Sequence, residues 1–264
     1  MDMLKRSLAP VSEEAWDLIN EEAQKMFGTL LSGRRVVEVS GPFGWDYAGV
    51  PTGRLEFPGK SKQQKLKYGL RQVKPLVEVR IPFELDIWEL DNVARGAEDI
   101  DLDAMTKAAK ELAAFEDGVL FNGLKEAQIK GINESSGYEP IAYPKNEEDL
   151  PKLIAHGFNM LQGGSAEGPY TLFLGAEKWQ NLTTCSQGYP LRQRIEEILE
   201  GRIVVSQHLK GGFLVPENKN DLKLTLGNDI SIGYESHNEE TVKLYFTESF
   251  TFQVLNPAVI VILK

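Results

Sequence analysis

Between Val77 and Trp88 the chain alternates without a break, with Val77, Val79, Ile81, Phe83, Leu85 and Ile87 in one phase. Glu78, Arg80, Pro82, Glu84, Asp86 and Trp88 occupy the other phase. Successive side chains of a β-strand face opposite ways, so this period of two predicts one long strand with a dry face and a wet face. Pro82 has no N–H to give to a ladder, which places the strand at a sheet edge or puts a bulge there. The residues before it, GKSKQQKLKYGLRQVK, bring Lys60, Lys62, Lys65, Lys67, Arg71 and Lys74 with few apolar neighbours. A polar, basic stretch feeding a long strand predicts a projecting hairpin arm. Such a hairpin is marginal in water by itself, so it needs a surface to lie on, and a neighbouring subunit is the natural one.

The rest of the chain mixes helix and strand. Residues 12–32 read as an amphipathic helix with Ser12 as N-cap, an apolar stripe through Ala15, Ile19, Ala23, Met26, Phe27, Leu30 and Leu31, and Gly33 as the C-terminal glycine. The strongest helix runs from Asp101 to Asn122 with Met105, Ala108, Ala109, Leu112, Phe115, Val119 and Leu120 as its buried stripe and Gly123 at its end. At about 1.5 Å per residue it spans roughly 30 Å, enough to act as the backbone of a flattened fold. From Tyr138 to about Val215 helices alternate with short strands such as YTLFL, IVVS and GFLV, with TTCSQGYP read as a loop before a helix whose first residue is Pro190. From Asp221 onward LKLTL, DISIGYE, VKLYFTES, FTFQVL and AVIVILK read as separate strands, the last one buried. The pattern predicts an α+β protein of two lobes with interleaved chain segments.

Composition narrows the function. A net charge of −10 argues against a general nucleic-acid binder, whose phosphate contacts need a basic face. The basic arm keeps three readings: a nucleic-acid site, although only Tyr68 interleaves an aromatic; a clasp between subunits of an otherwise acidic protein; or a solvated charged face. The single cysteine, Cys185, allows no disulfide within the chain and fits a reducing cytosol. The N-terminus lacks the apolar run of a secretory signal, and no stretch reaches the roughly 20 apolar residues that span a bilayer, so the expected location is cytoplasmic.

No catalytic constellation emerges. His156, His208 and His237 have no Cys, His, Asp or Glu at a metal-ligand spacing, so ordinary surface or helix roles are expected for them and no metal is. Cys185 lacks a nearby histidine to activate it. The glycines of LQGGSAEGPY match neither phosphate-binding pattern, and no carboxylate pair is isolated in apolar surroundings. An enzyme is poorly supported.

FELDIWELDNVARG, LAAFEDGVLFNG, EGPYTLFL, GYPLRQRIEEILEG, LGNDISIGYE and TESFTFQVLNPAVIVILK, with LKRSLAPVSEEAW and GRRVVEVSGPFGWDY at the start, together resemble the encapsulin family, in order over nearly the whole chain. The resemblance implies the fold of tailed-phage major capsid proteins. It maps residues 1–49 onto a lumen-facing helix and the start of a peripheral domain, 50–88 onto the extended loop, and 89–137 onto the peripheral domain with its spine helix. Residues 138–220 would be the axial domain and 221–264 peripheral strands.

It further implies a non-enzymatic shell subunit that assembles with itself into an icosahedral container of sixty or more copies. The container would enclose a cargo enzyme, a ferritin-like iron oxidase or a dye-decolourising peroxidase, docked through a short targeting peptide. The resemblance places that peptide on Phe27, Leu30, Arg34 and Glu38, where the family commonly has Asp, with Ile230, Ile232 and Tyr234. It implies a pore loop at Thr184, Cys185, Ser186, Gln187, Gly188 and Tyr189. Some relatives bind flavin (FMN) through an Arg and a Trp that Arg80 and Trp88 match; on one strand their spacing puts both on the same face. A subunit contact would cover Trp88 equally well. The alternatives are a prophage or viral capsid subunit packaging DNA, which shares the fold, and an enzyme in its own right.

Overall fold

The computed structural model describes residues 3–57, 67–184 and 188–264, with no account of the Gly188 and Tyr189 side chains. In chain order, helix α1 (Glu13–Leu30) leads through a 3-10 turn at Gly33–Arg35 to strand β1 (Glu38–Ser40), the hairpin strands β2 (Gly49–Glu56) and β3 (Leu70–Pro75), and β4 (Val77–Asp86). Helices α2 (Ile87–Ala94), α3 (Asp103–Asn122), α4 (Ile132–Ser135) and α5 (Leu150–Gly163) follow. Then come β5 (Tyr170–Gly175), α6 (Ala176–Thr184), α7 (Gly188–Leu199), β6 (Arg202–Ser206), β7 (Gly212–Pro216), β8 (Leu222–His237), β9 (Thr241–Val254) and β10 (Val261–Leu263).

The strands form two four-stranded sheets and one two-stranded arm. The first sheet has the order β1-β8-β9-β4, with β1 parallel to β8 and the rest antiparallel. The second has the order β10-β7-β5-β6, and among the described residues β2 pairs only with β3. Pro82 therefore does lie in an edge strand, in unbroken register opposite Tyr245.

That edge strand is not part of the projecting arm. Its dry phase, ending in buried Phe83 and Leu85, packs against α1 and α3, and that burial holds it in the main sheet. The alternation also ends sooner than the sequence predicts, because the Asp86 carboxylate accepts the Glu89 N–H at 3.1 Å and caps α2. Ile87 and Trp88 are helical.

Two long strands replace four predicted short ones near the C-terminus. The Gly227–Asn228 stretch is absorbed as a bulge in β8, with the Asn228 N–H donating to Ser249 Oγ at 2.8 Å, rather than forming a turn. Glu248 and Ser249 continue β9 without interruption. The last strand is buried as expected, but it joins the second sheet by pairing with β7 and not the first. Around the expected pore loop, Thr184 closes α6, its hydroxyl donating to the Gln180 carbonyl at 2.8 Å. Gly188 and Tyr189 open α7, so Pro190 is the third helical residue, still within the first turn where its missing N–H is harmless. Cys185, Ser186 and Gln187 lie outside the described residues, as do Lys60, Lys62 and Lys65 of the basic arm.

Helix α3 joins two hydrophobic cores. Its first half, through Ala113, packs with α1, β4 and the Ile232–Phe246 part of the first sheet. Its last turns, from Val119 to Phe121, pack into the second sheet. There Phe173 and Phe213 stack at 4.8 Å between ring centres. Phe115 departs from the expected stripe: it is 36% exposed and touches Phe250 only edge-on. Replacing Phe173 with Ala is expected to cost about 3–5 kcal/mol through lost burial and a cavity. Trp88→Ala, at an exposed position, should stay within roughly 0.5 kcal/mol. Urea unfolding followed by circular dichroism checks both.

Candidate functional site

Ser12 caps α1 by accepting the Ala15 N–H at 3.2 Å, and the apolar face of the helix then runs down to Phe27. Phe27 meets Phe246 of β9 edge-to-face at 5.0 Å. Where α1 ends, the chain turns through Leu31–Arg35 and leaves an open groove of about 560 Å³ between the helix and residues Asp229–Ile232 of β8. Gly28 opens onto it: a Cβ at this position would have nothing within 4 Å. A glycine inside a helix costs about 1 kcal/mol relative to Ala, and here it widens the groove.

One guanidinium organises the polar end of the groove. Arg34 donates from Nε and Nη2 to the Glu116 carboxylate, from Nη2 to Glu248 Oε1 at 2.6 Å, and from Nη1 to Asp229 Oδ1 at 2.9 Å. Glu116 and Glu248 are fully buried. Burial opposes the charge on Arg34, but the Glu116 hydrogen bond and the charges of Glu116, Glu248 and Asp229 outweigh it and raise its pKa. Burial, then the charge and hydrogen bond of Glu116, push Glu248 well above the usual carboxylate range against the pull of Arg34. Glu248 Oε2 is buried with no hydrogen-bond partner among the described residues, where a bare charge would be costly. Burial and the neighbouring Glu116 thus disfavour a charge on Glu248, and Arg34 is shared among Glu116, Glu248 and Asp229. Asp229 is half exposed, and its Oδ1 also accepts the Ile230 N–H at 2.8 Å. Its Oδ2 has no hydrogen bond among the described residues.

Four of the seven residues expected at a peptide site line this groove: Phe27, Arg34, Ile230 and Ile232. Leu30 instead packs against the α1 core. Glu38 sits in β1 with Lys223 at 3.9 Å. Tyr234 gives its N–H to the Leu4 carbonyl, and its hydroxyl lies 2.7 Å from His237 Nδ1. Gly28, Asp229 and Phe246 were missed as lining residues, and Glu116 and Glu248 as the groove's buried support. A signal for the last two was present: Leu112, Glu116 and Leu120 share one helix face, and Glu248 shares the strand phase of Phe246 and Phe250.

The histidines divide. His208 does not have the ordinary surface role expected of it, because its Nδ1 lies 3.0 Å from Oδ2 of buried Asp117, a residue distant in sequence. Gly33 is likewise no helix-terminal glycine. A Cβ there would stand 2.6 Å from Leu120 Cδ1 and 2.9 Å from Asp117 Oδ1, so it is close approach to α3 that requires glycine. Arg80 and Trp88 share no strand face. The Arg80 guanidinium covers the Tyr245 ring at 4.1 Å, while Trp88 stands on α2 with the Arg95 guanidinium 5.8 Å from its ring.

Arg34→Met should cost about 3–5 kcal/mol by leaving Glu116 without its buried counter-charge. Because the folded state raises the Glu248 pKa, the native protein binds the extra proton, and stability falls as pH rises above the ordinary glutamate value. Glu248→Gln removes that titration. Its stability relative to wild type should improve as pH rises above the ordinary glutamate value in denaturant titrations.

A family model described as "Encapsulating protein for peroxidase" matches residues 1–251. A type 1 encapsulin shell protein of Mycolicibacterium paratuberculosis is 40% identical over 253 residues, covering 96% of this chain and 95% of its own. Among solved structures, a virus-like particle from Pyrococcus furiosus aligns with a TM-score of 0.63 at 20% identity, covering 96% of this chain and 98% of its own. The capsid of a Myoviridae phage aligns with a TM-score of 0.54 at 12% identity, covering 90% and 91%. The fold is that of tailed-phage capsid proteins, and the chain belongs to the encapsulin family of shell proteins.

Proposed function

We propose that the chain is the subunit of a closed protein shell and that the α1–β8 groove docks a short peptide of an enclosed enzyme. The groove carries this reading. Phe27, Ile230, Ile232 and Phe246 offer apolar walls, and Gly28 leaves room for a side chain. Apolar walls edged by Arg6, Arg34, Arg35 and Asp229 suit an extended peptide with apolar residues and a few charged ones. The description of the family model makes a peroxidase the first cargo to look for; a ferritin-like iron oxidase is the second.

The arm supports self-assembly. Leu55, Leu70 and Val73 of the β2–β3 hairpin are each more than half exposed, on a two-stranded unit with little stability of its own. A second copy of the chain that covers them would bury this apolar surface and steady the hairpin. A DNA-packaging capsid is the weaker reading, given a net charge of −10 and relatives named as encapsulin shell proteins.

Expression of the chain alone should yield uniform megadalton particles by sizing chromatography and electron microscopy; a monomer would overturn the shell reading. Particles from the native host should carry a co-purifying enzyme. Gly28→Trp, which fills the groove, should abolish that co-purification without changing particle size. Asp229→Lys, which reverses the charge at the groove edge, should weaken it by about tenfold.

A further inference from the structure

Separate from the Arg34 cluster lies a second polar cluster, built around a buried carboxylate, whose residues are not among those lining the groove. Asp117 is fully buried. It accepts from three donors: Ser32 Oγ at 2.5 Å, the Gly33 N–H at 2.8 Å and His208 Nδ1 at 3.0 Å. The Ser32 hydroxyl in turn lies 2.8 Å from Ser206 Oγ, which also accepts the His208 N–H at 3.1 Å. Since Ser32 donates to Asp117, Ser206 must donate to Ser32. The carboxylate and both hydroxyls are satisfied, and the cluster has one consistent pattern of donors.

These residues come from three places. Ser32 and Gly33 form the elbow after α1, and the neighbouring Leu31, Arg34 and Arg35 line the groove. Asp117 stands on α3. Ser206 ends β6, and His208 follows it in the connection to β7, both in the second sheet. The elbow has no slack, because Gly33 is pressed onto Leu120 and Asp117 too closely to admit a Cβ. Where the elbow sits fixes where Arg34 and the groove wall sit, and the second sheet supplies one of the donors that holds it.

We infer that Asp117 is the positioning residue of the docking groove and that His208 couples groove geometry to the second sheet. This rests on the docking reading of the groove. A peptide that favours the observed elbow must, by reciprocity, also restrain the β6–β7 connection, and loosening that connection must weaken docking. Coupling free energies of this kind change affinity by about 5–150-fold.

Assembled shells of the full chain test it in two ways. Hydrogen exchange of empty shells needs no ligand: His208→Ala should speed exchange of the Ser32–Val36 amides by about tenfold while the first turns of α1 stay unchanged. His208→Asn, whose amide nitrogen takes the place of Nδ1, should restore the wild-type rate. The second readout is the affinity of a synthetic peptide copying the terminal residues of the co-purified enzyme. It should fall about tenfold in His208→Ala and recover in His208→Asn, with particle size unchanged. Adding that peptide should slow exchange in the β6–β7 connection of wild-type shells but not of His208→Ala shells.

Unchanged elbow exchange in His208→Ala, or an Asn variant as impaired as the Ala one, overturns the coupling. If wild-type shells bind no peptide, the docking reading fails, while the exchange comparison still decides the role of His208. Should His208→Ala fail to assemble, Ser206→Ala removes only a hydroxyl from the same cluster and carries the same expectations at smaller size.

Discussion

Two adjacent acids on one helix, Glu116 and Asp117, are buried at the point where α3 passes from one hydrophobic core to the other. Burying a carboxylate is expensive unless it is fully paired, so each demands partners, and those partners organise the rest. Neighbouring residues on a helix point about 100° apart. Glu116 accordingly takes Arg34 and lies beside Glu248 of the first sheet, while Asp117 takes the elbow backbone and His208 of the second. The short Ser32–Arg35 segment is caught between them, and it shapes the groove.

The arrangement separates rigidity from openness. The α3 side of the groove is saturated: Arg34 spends four of its N–H groups on carboxylates. What faces the groove is mainly apolar surface and a glycine, edged by Arg6, Arg34, Arg35 and the half-exposed Asp229. A docking site built this way gains affinity from a preorganised wall and leaves little for the occupant to rearrange. The β2–β3 arm shows the opposite character, with apolar side chains exposed on a hairpin that pairs with nothing else in the described chain. One feature suits a small guest and the other a second copy.

Much of this was legible beforehand. The period of two named β4, Pro82 narrowed its place to an edge or a bulge, and the helical stripe named α3, because local patterning reflects burial directly. The sequence misled where one residue type has two uses. Asp86 could continue an alternation or cap a helix, and it caps. Gly227 and Asn228 could turn a chain or bulge a strand, and they bulge, because the paired β9 runs on beside them. No carboxylate pair was expected in apolar surroundings, yet Glu116 and Glu248 are buried together, and each stands in an apolar phase of its element. The position of Trp88 relative to Arg80 could not be read from spacing once the strand ended two residues earlier.

The sequence by itself determined the α+β composition, the spine helix, the edge strand, the acidic charge and the family, because these follow from local periodicity and from residues matched in order. Tertiary structure alone decided that Asp117 meets His208, that Arg34 is shared among three carboxylates, and that the last strand completes the second sheet. Those contacts join residues dozens to hundreds of positions apart. Their existence depends on which charged groups folding leaves without water, and no local pattern records that.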